Sequence, residues 1–400
     1  MVHYLTIIAF ILSPIYLWRS GLPQVFHIVM ALAMILMLIL SKWKKTKPGI
    51  IGFIFAVWAF IVNSVFYMMH YDLHFLFSSM YYLFNACVWN HCVSVCSQRR
   101  NLLLVIWRIL WVELLLEGMV IFLGLGRVLD ERSLGTFNDP NQLSHWVVWA
   151  VVLITSLGWY LHHKWLYGFI ALIYANAILL FSASRSGTLG LLTLWVMYFI
   201  VAAKAIFKRT LLRQFPRAGI GRLYPVLFTF ASVCLIVLIL IPWGNSVFEV
   251  SYSEISRKFV FFLQRWQREI QNPDLFWEER GYVRLWRFPQ YLVLGSGEGA
   301  HYRWGGIPVE IHSTLAGALF YYGLVGFVLL LIFLYEIWRR QPSGWFKLVF
   351  FAPLVYSLGT YNLRNTFFWI GYSILYVVGT LLEQKQGNTN GSEPKMLISV

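Results

Sequence analysis

The sequence predicts an all-α polytopic membrane protein, with about twelve transmembrane helices and one large loop on the outer side, all 400 residues forming a single integral-membrane domain. Three observations predict it. Hydrophobic side chains make up 59% of the chain and charged ones 12%, with a mean hydropathy of +0.65. A soluble domain carries about a quarter charged residues, so that class is excluded. Apolar stretches close to the roughly 20 residues of a spanning helix recur with short polar punctuation between them. Finally, the formal charge of +15, which in a soluble chain would suggest nucleic acid, gathers on one set of loops.

The spans are expected near 4–18, 22–40, 50–69, 75–97, 101–123, 141–161, 165–181, 187–206, 223–243, 313–337, 346–360 and 366–382. The first, seventh and eleventh are short. The first has neither a basic leader nor a small-residue cleavage site, so it is expected to be a span and not a cleaved signal. With a cytoplasmic N-terminus, the loops predicted to be cytoplasmic hold 18 of the 32 Lys and Arg against only Glu336, Glu383 and Glu393. That excess of basic residues orients the chain with both termini in the cytoplasm. The outer loops are nearly neutral, with thirteen basic and twelve acidic residues. Charge therefore implies contact with membrane lipid and no nucleic acid. The four cysteines, Cys87, Cys92, Cys96 and Cys234, fall within spans and imply no disulfide framework. Cys87, His91, Cys92 and Cys96 are read as packing, because His91 and Cys92 diverge by about 100° on a helix.

The candidate functional residues collect on the outer side, where one loop, 244–312, is far longer than the rest. Tyr252, Ile255, Phe259, Phe262, Trp266 and Ile270 recur at threes and fours, as in an amphipathic helix lying in the membrane interface. A second helical piece is expected over Leu275 to Leu292. Within it Arg280, Arg284 and Arg287 stand at i, i+4 and i+7 and would share a face. Two readings fit that stripe: a grip on a diphosphate, whose oxygens match the guanidinium fork, or snorkelling to lipid head groups. Gly295, Gly297 and Gly299 resemble a nucleotide loop only loosely and precede no helix, so no nucleotide site is expected. The turn at 132–141 contains Asn138, Asp139 and Asn141, which serve equally as substrate contacts or as plain turn residues. Arg185 lies among Ser182, Ser184 and Ser186 at a helix lip. His312 ends the long loop; it is either a structural residue at a helix start or a group that accepts a proton at neutral pH. Arg364, with Asn362 and Asn365, occupies the last outer turn as an anchor or a contact. Apart from these, Glu113 and Glu117 share a face within the fifth span, where charge is costly and invites a functional reading such as a translocation path.

Several of these pieces together resemble the bacterial O-antigen ligase and O-antigen polymerase superfamily. His312-Ser313, nine further residues and Gly323-Leu-Val-Gly326 are similar to the ligases' His pattern. Ser184-Arg185-Ser-Gly-Thr-Leu189 resembles their Arg-x-x-x-Leu element, although Ser186 separates Arg185 from Gly187 where many relatives have Gly directly after Arg. Gly135-Thr-Phe-Asn-Asp-Pro-Asn141 resembles their Gly-x-Phe-x-x-Pro-Asn turn, and the run from Arg280 to Gly297 resembles an Arg-rich helix followed by a Leu-Gly-x-Gly turn. The matching motifs span about 130–330, in order.

The resemblance implies transfer of a glycan from undecaprenyl diphosphate to a sugar hydroxyl of the lipid A core. The reaction would invert the anomeric carbon on the periplasmic face of the bacterial inner membrane, and no nucleotide, obligatory metal or other cofactor is expected. On that reading Arg185, Arg280, Arg284 and Arg287 hold the donor diphosphate and His312 is the catalytic base. The alternatives are a polymerase of the same superfamily, which extends another lipid-linked chain, and, more distantly, a transporter built on Glu113 and Glu117. An intramembrane serine hydrolase using Ser186 and His312 fits less well, because His312 is expected at a loop end.

Overall fold

The computed structural model describes residues 1–18, 21–40, 43–211, 249–272, 277–305, 310–342 and 344–390. Helices dominate. Eleven of the twelve expected stretches carry one: α1 (Val2–Ile11), α2 (Val25–Ile39), α3 (Lys47–His70), α4 (His74–Gln98), α5 (Arg100–Phe122), α6 (Pro140–His162), α7 (Leu166–Ser182), α8 (Arg185–Leu211) and, after the long loop, Thr314–Trp338, Gly344–Tyr356 and Thr366–Asn390. The twelfth stretch, 223–243, lies outside the described residues. Among the described residues, five helices are by length and composition apolar enough to cross a membrane: α3, α6, the first part of α8, and the first and last of the three that follow the loop. Of the eleven helices at expected spans the shortest, α1, has ten residues and rises only about 15 Å.

Helix starts follow local chemistry. Thr46 accepts from Gly49 N at 3.2 Å at the head of α3, and Asp139 accepts from Asn141 N at 2.7 Å at the head of α6. In both, proline opens the first turn, where its missing N–H costs nothing. At the centre lies α6, whose side chains from Leu143 to Leu157 are all buried. It packs against α5, α7, α8 and the last two helices. At one end of the bundle charged residues tie neighbouring helices: Lys47 pairs with Glu336 at 2.7 Å and Arg340 with Glu383 at 2.8 Å. The opposite end carries a two-stranded antiparallel hairpin, β1 (Arg127–Leu129) and β2 (Arg132–Gly135), together with the described parts of the long loop.

Within that loop the expected amphipathic helix is present as α9 (Glu249–Gln271) and packs against α7. The second helix expected over Leu275–Leu292 is not continuous. Gly281, at φ +69°, turns the chain, and Pro289 follows a four-residue helix, α10 (Arg284–Arg287). Another short helix, α11 (Tyr291–Leu294), comes next. The glycine-rich run after it dives into the bundle. Ser296 N and Gly297 N donate to the carbonyls of Phe320 and Tyr321, each at 3.0 Å, and Glu298 N donates to Asn63 Oδ1 at 2.8 Å. Helix α12 (Thr314–Trp338) bends to admit it. Gly323 has φ 65° and ψ −171° inside that helix, and Trp58 Nε1 donates to the Tyr322 carbonyl at 2.7 Å. The last two helices are α13 (Gly344–Tyr356) and α14 (Thr366–Asn390).

A Cβ on Gly323 would lie 2.3 Å from the Val293 carbonyl oxygen, and its φ is costly for any L side chain by about 1–3 kcal/mol. Gly323→Ala is therefore expected to lower the midpoint of thermal unfolding in detergent. An unchanged midpoint would argue against the kink being required.

Candidate functional site

The site is built around the break between α7 and α8. Ala183, at φ +47°, ends α7, and Ser184 accepts from Gly187 N at 3.2 Å to start α8. Helix α7 thus ends in outward-facing carbonyls, the negative end of its dipole. Arg132 Nε donates to the Ser182 carbonyl at 3.0 Å, and Arg265 Nη1 donates to that of Ala183 at 2.9 Å. Arg185 Nη1 donates to the Arg265 carbonyl at 3.0 Å, and Arg280 Nη1 to that of Gly359 at 2.6 Å. These four arginines line a chamber of about 150 Å³ in which Glu279 is the one acidic lining residue described. Burial, and then Arg265, push the Arg132 guanidinium down to about 9. Four guanidinium groups, each with several donors, are so confined in one small chamber.

Glu117 holds this arrangement from below. Its carboxylate accepts from Thr136 N and from Thr136 Oγ1, both at 2.8 Å, so it pins the hairpin that carries Arg132. Glu113 is buried one turn away, and among the described residues nothing hydrogen-bonds its carboxylate oxygens.

Asn141 and His312 line the arginine chamber and also a second cavity, of about 260 Å³, on its other side. The second cavity is furnished differently, with Asp139, Gln142, Glu310, Asn362, Arg364 and Tyr361. It merges at Tyr81, Glu310 and Arg364 with a mainly apolar groove of about 750 Å³ that runs along α2 and α4 past Ile28, Phe77 and Phe84. His312 is fixed from both flanks. Its N–H donates to the Arg280 carbonyl at 2.9 Å, and Thr314 N, two residues on, donates to the Ser357 carbonyl at 2.8 Å. Ser313 caps α12. Burial and then Arg280 hold the imidazole below its ordinary value of 6.5, against the opposing pull of Glu310 and Asp139.

Of the residues singled out in the sequence, Arg185, Arg280, His312, Asp139, Asn141 and Arg364 converge on these two cavities. Ser186, Asn362 and Asn365 line them as well, whereas Asn138, Arg284 and Arg287 stand apart. Asn138 Nδ2 donates to the Trp18 carbonyl. The stripe of Arg280, Arg284 and Arg287 does not form, because the chain turns at Gly281. Arg284 is fully buried; it donates to Tyr321 Oη at 3.3 Å and packs 5.5 Å over the Trp304 ring. Tyr321 Oη in turn accepts from Ile311 N at 3.1 Å, so Arg284 braces the residue next to His312. Arg287 is exposed and pairs with Glu278 at 3.3 Å. Arg132 and Arg265, which complete the chamber, carried no signal of their own. One opens a turn, and the other sits on the charged face of an amphipathic helix. Glu310 is likewise a lone acid in a loop.

No protein-family model and no curated protein sequence matches this chain.

Inorganic diphosphate titrated calorimetrically into the detergent-solubilised protein is expected to bind. Arg185→Ala and Arg280→Ala should each weaken that binding by about 1.5–3 kcal/mol, roughly ten- to a hundredfold, the worth of a charge-assisted contact. Arg287→Ala should leave it unchanged; equal losses in all three would argue against the chamber.

Proposed function

We propose that this protein is a membrane glycosyltransferase that moves a glycan from undecaprenyl diphosphate to a sugar hydroxyl of the lipid A core, as an O-antigen ligase does. In this reading the chain crosses the bacterial inner membrane twelve times with both termini in the cytoplasm, and the two cavities open on the periplasmic side. One observation carries the proposal: His312 and Asn141 form the common wall between a chamber lined by four arginines and a cavity lined by amides, acids, tyrosines and a single arginine, Arg364. That is the arrangement an inverting transfer from a diphosphate needs, with the leaving group and the incoming hydroxyl on opposite sides of the reacting carbon.

Arg132, Arg185, Arg265 and Arg280 take up the negative charge that develops as the diphosphate leaves. Because these groups are already fixed on backbone carbonyls, little reorganisation is required. The acceptor hydroxyl lies in the second cavity, where the imidazole of His312, neutral at pH 7, removes its proton. Arg284 and Arg287 have no direct part in holding the donor. Arg284 supports the His312 segment from behind, and Arg287 stays at the surface. The sequence motifs around His312, Arg185 and Asn141 support the same family of reactions.

Purified protein supplied with both substrates tests this. His312→Ala is expected to lose transfer by roughly 10² to 10⁴-fold, the usual worth of a general base, and full activity in that variant would remove the assignment. The base must be unprotonated and its pKa lies below 6.5. The rate should therefore be level through neutral pH and decline only in acid below that value. Arg280→Gln, by removing a cation that lowers the His312 pKa, should move that decline to higher pH. In cells, a deletion strain should accumulate lipid-linked long polymer; single repeat units would instead indicate a polymerase.

A further inference from the structure

The second cavity contains a carboxylate that neither the sequence motifs nor the reaction just described employs. Glu310 stands two residues before His312 and lines the same cavity. It is not loose there. Arg364 Nη2 donates to its Oε1, while Arg364 Nε lies 2.8 Å from Oε1 of Glu298. Glu298 is buried on the glycine-rich wedge, and three phenols converge on its Oε2: Tyr82 at 2.5 Å, Tyr322 at 2.6 Å and Tyr361 at 3.2 Å. A chain of fixed contacts thus runs from the bundle interior to one carboxylate at the cavity wall.

We propose that Glu310, oriented by Arg364 and Glu298, is a positioning residue for His312, stabilising the imidazolium that forms when the histidine accepts the acceptor's proton. This rests on the reading of His312 as the base. As the acceptor O–H bond breaks, its proton passes to the imidazole and its oxygen forms the new bond to the anomeric carbon. The electron pair of the old carbon–oxygen bond leaves on the diphosphate, and the proton later passes from the imidazolium to water. While the proton is held, a positive charge exists at His312 beside Arg280 and Arg284, which oppose it. Glu310 and Asp139 are the acids that favour it. Asp139 is occupied in capping α6, whereas Glu310 is supplied to the cavity by a dedicated ion-pair chain. Burial would raise the Glu310 carboxyl, but Arg364 and His301 outweigh burial and hold it below the usual carboxylate range. Its ionised, negatively charged form is the one these partners favour.

The test is Glu310→Gln, which keeps the shape and removes the charge. Transfer by the purified full-length protein should lose at least about tenfold in kcat, as when a base loses its orienting carboxylate, with donor KM unchanged. Independently of any activity, the pH midpoint for diethyl pyrocarbonate modification of His312, followed by peptide mass spectrometry, should fall by about half a unit or more. Glu310→Asp should restore that midpoint toward the wild-type value. A wild-type midpoint together with wild-type kcat in Glu310→Gln would overturn the inference, as would a loss explained wholly by less folded protein. If His312→Ala is inactive and Glu310→Gln is unaffected, only this inference fails. If His312→Ala is active, the base reading fails, and a lowered midpoint in Glu310→Gln would still establish the electrostatic link.

Discussion

The burial of Glu298 is the constraint on which the rest of the site depends. A carboxylate 1% exposed in a helix bundle is costly unless it is paired and hydrogen-bonded. This one is matched by Arg364 at 2.8 Å and by the hydroxyls of Tyr82, Tyr322 and Tyr361. Those partners come from α4, α12 and the turn between α13 and α14, so satisfying one acid brings together three parts of the chain that are distant in sequence. Breaking such a pair costs about 3–5 kcal/mol, because the remaining charge has no water to turn to. The glycine-rich run that carries Glu298 reaches its place only because α12 is kinked at Gly323.

The same economy of polar groups shapes the arginine chamber. Helix α7 ends at Ala183 with carbonyls that no helical turn follows to satisfy. Arg132 and Arg265 satisfy two of these positions, and in doing so they converge on Arg185 and Arg280. What stabilises the helix end therefore also concentrates positive charge. Glu117 contributes from within α5 by holding Thr136 and so the hairpin. His312 lies where the arginine-rich and acid-containing cavities meet, its backbone bound to the Arg280 turn and its neighbours to the end of α13.

Some of this was legible in the sequence, and some was not. Long apolar runs fix helices, since backbone groups away from water must be satisfied within the segment; α3, α6, α12 and α14 follow directly. Asp139, Asn141, Arg185, His312 and Arg364 could be singled out because polar residues at the ends of apolar helices are conspicuous. The arginine stripe misled because helical spacing is informative only while the helix continues, and Gly281 and Pro289 interrupt it. Arg132, Arg265 and Glu310 were silent, for a charge in a polar loop or on the charged face of an amphipathic helix looks the same whether it faces solvent or a cavity.

By itself, then, the sequence determined the helical membrane class, the positions of most helices and the uneven charge of the loops, because each follows from local hydrophobicity and the cost of leaving backbone or charge unsatisfied. Tertiary structure alone decided which four arginines share a chamber, that Arg284 is a brace and Arg287 a surface residue, and that Glu310 and His312 line one cavity. Those relations join residues distant in sequence through carbonyl contacts, such as Arg132 to Ser182 and Arg265 to Ala183. Their partners are chosen by the packing of helices against one another, which no local pattern encodes.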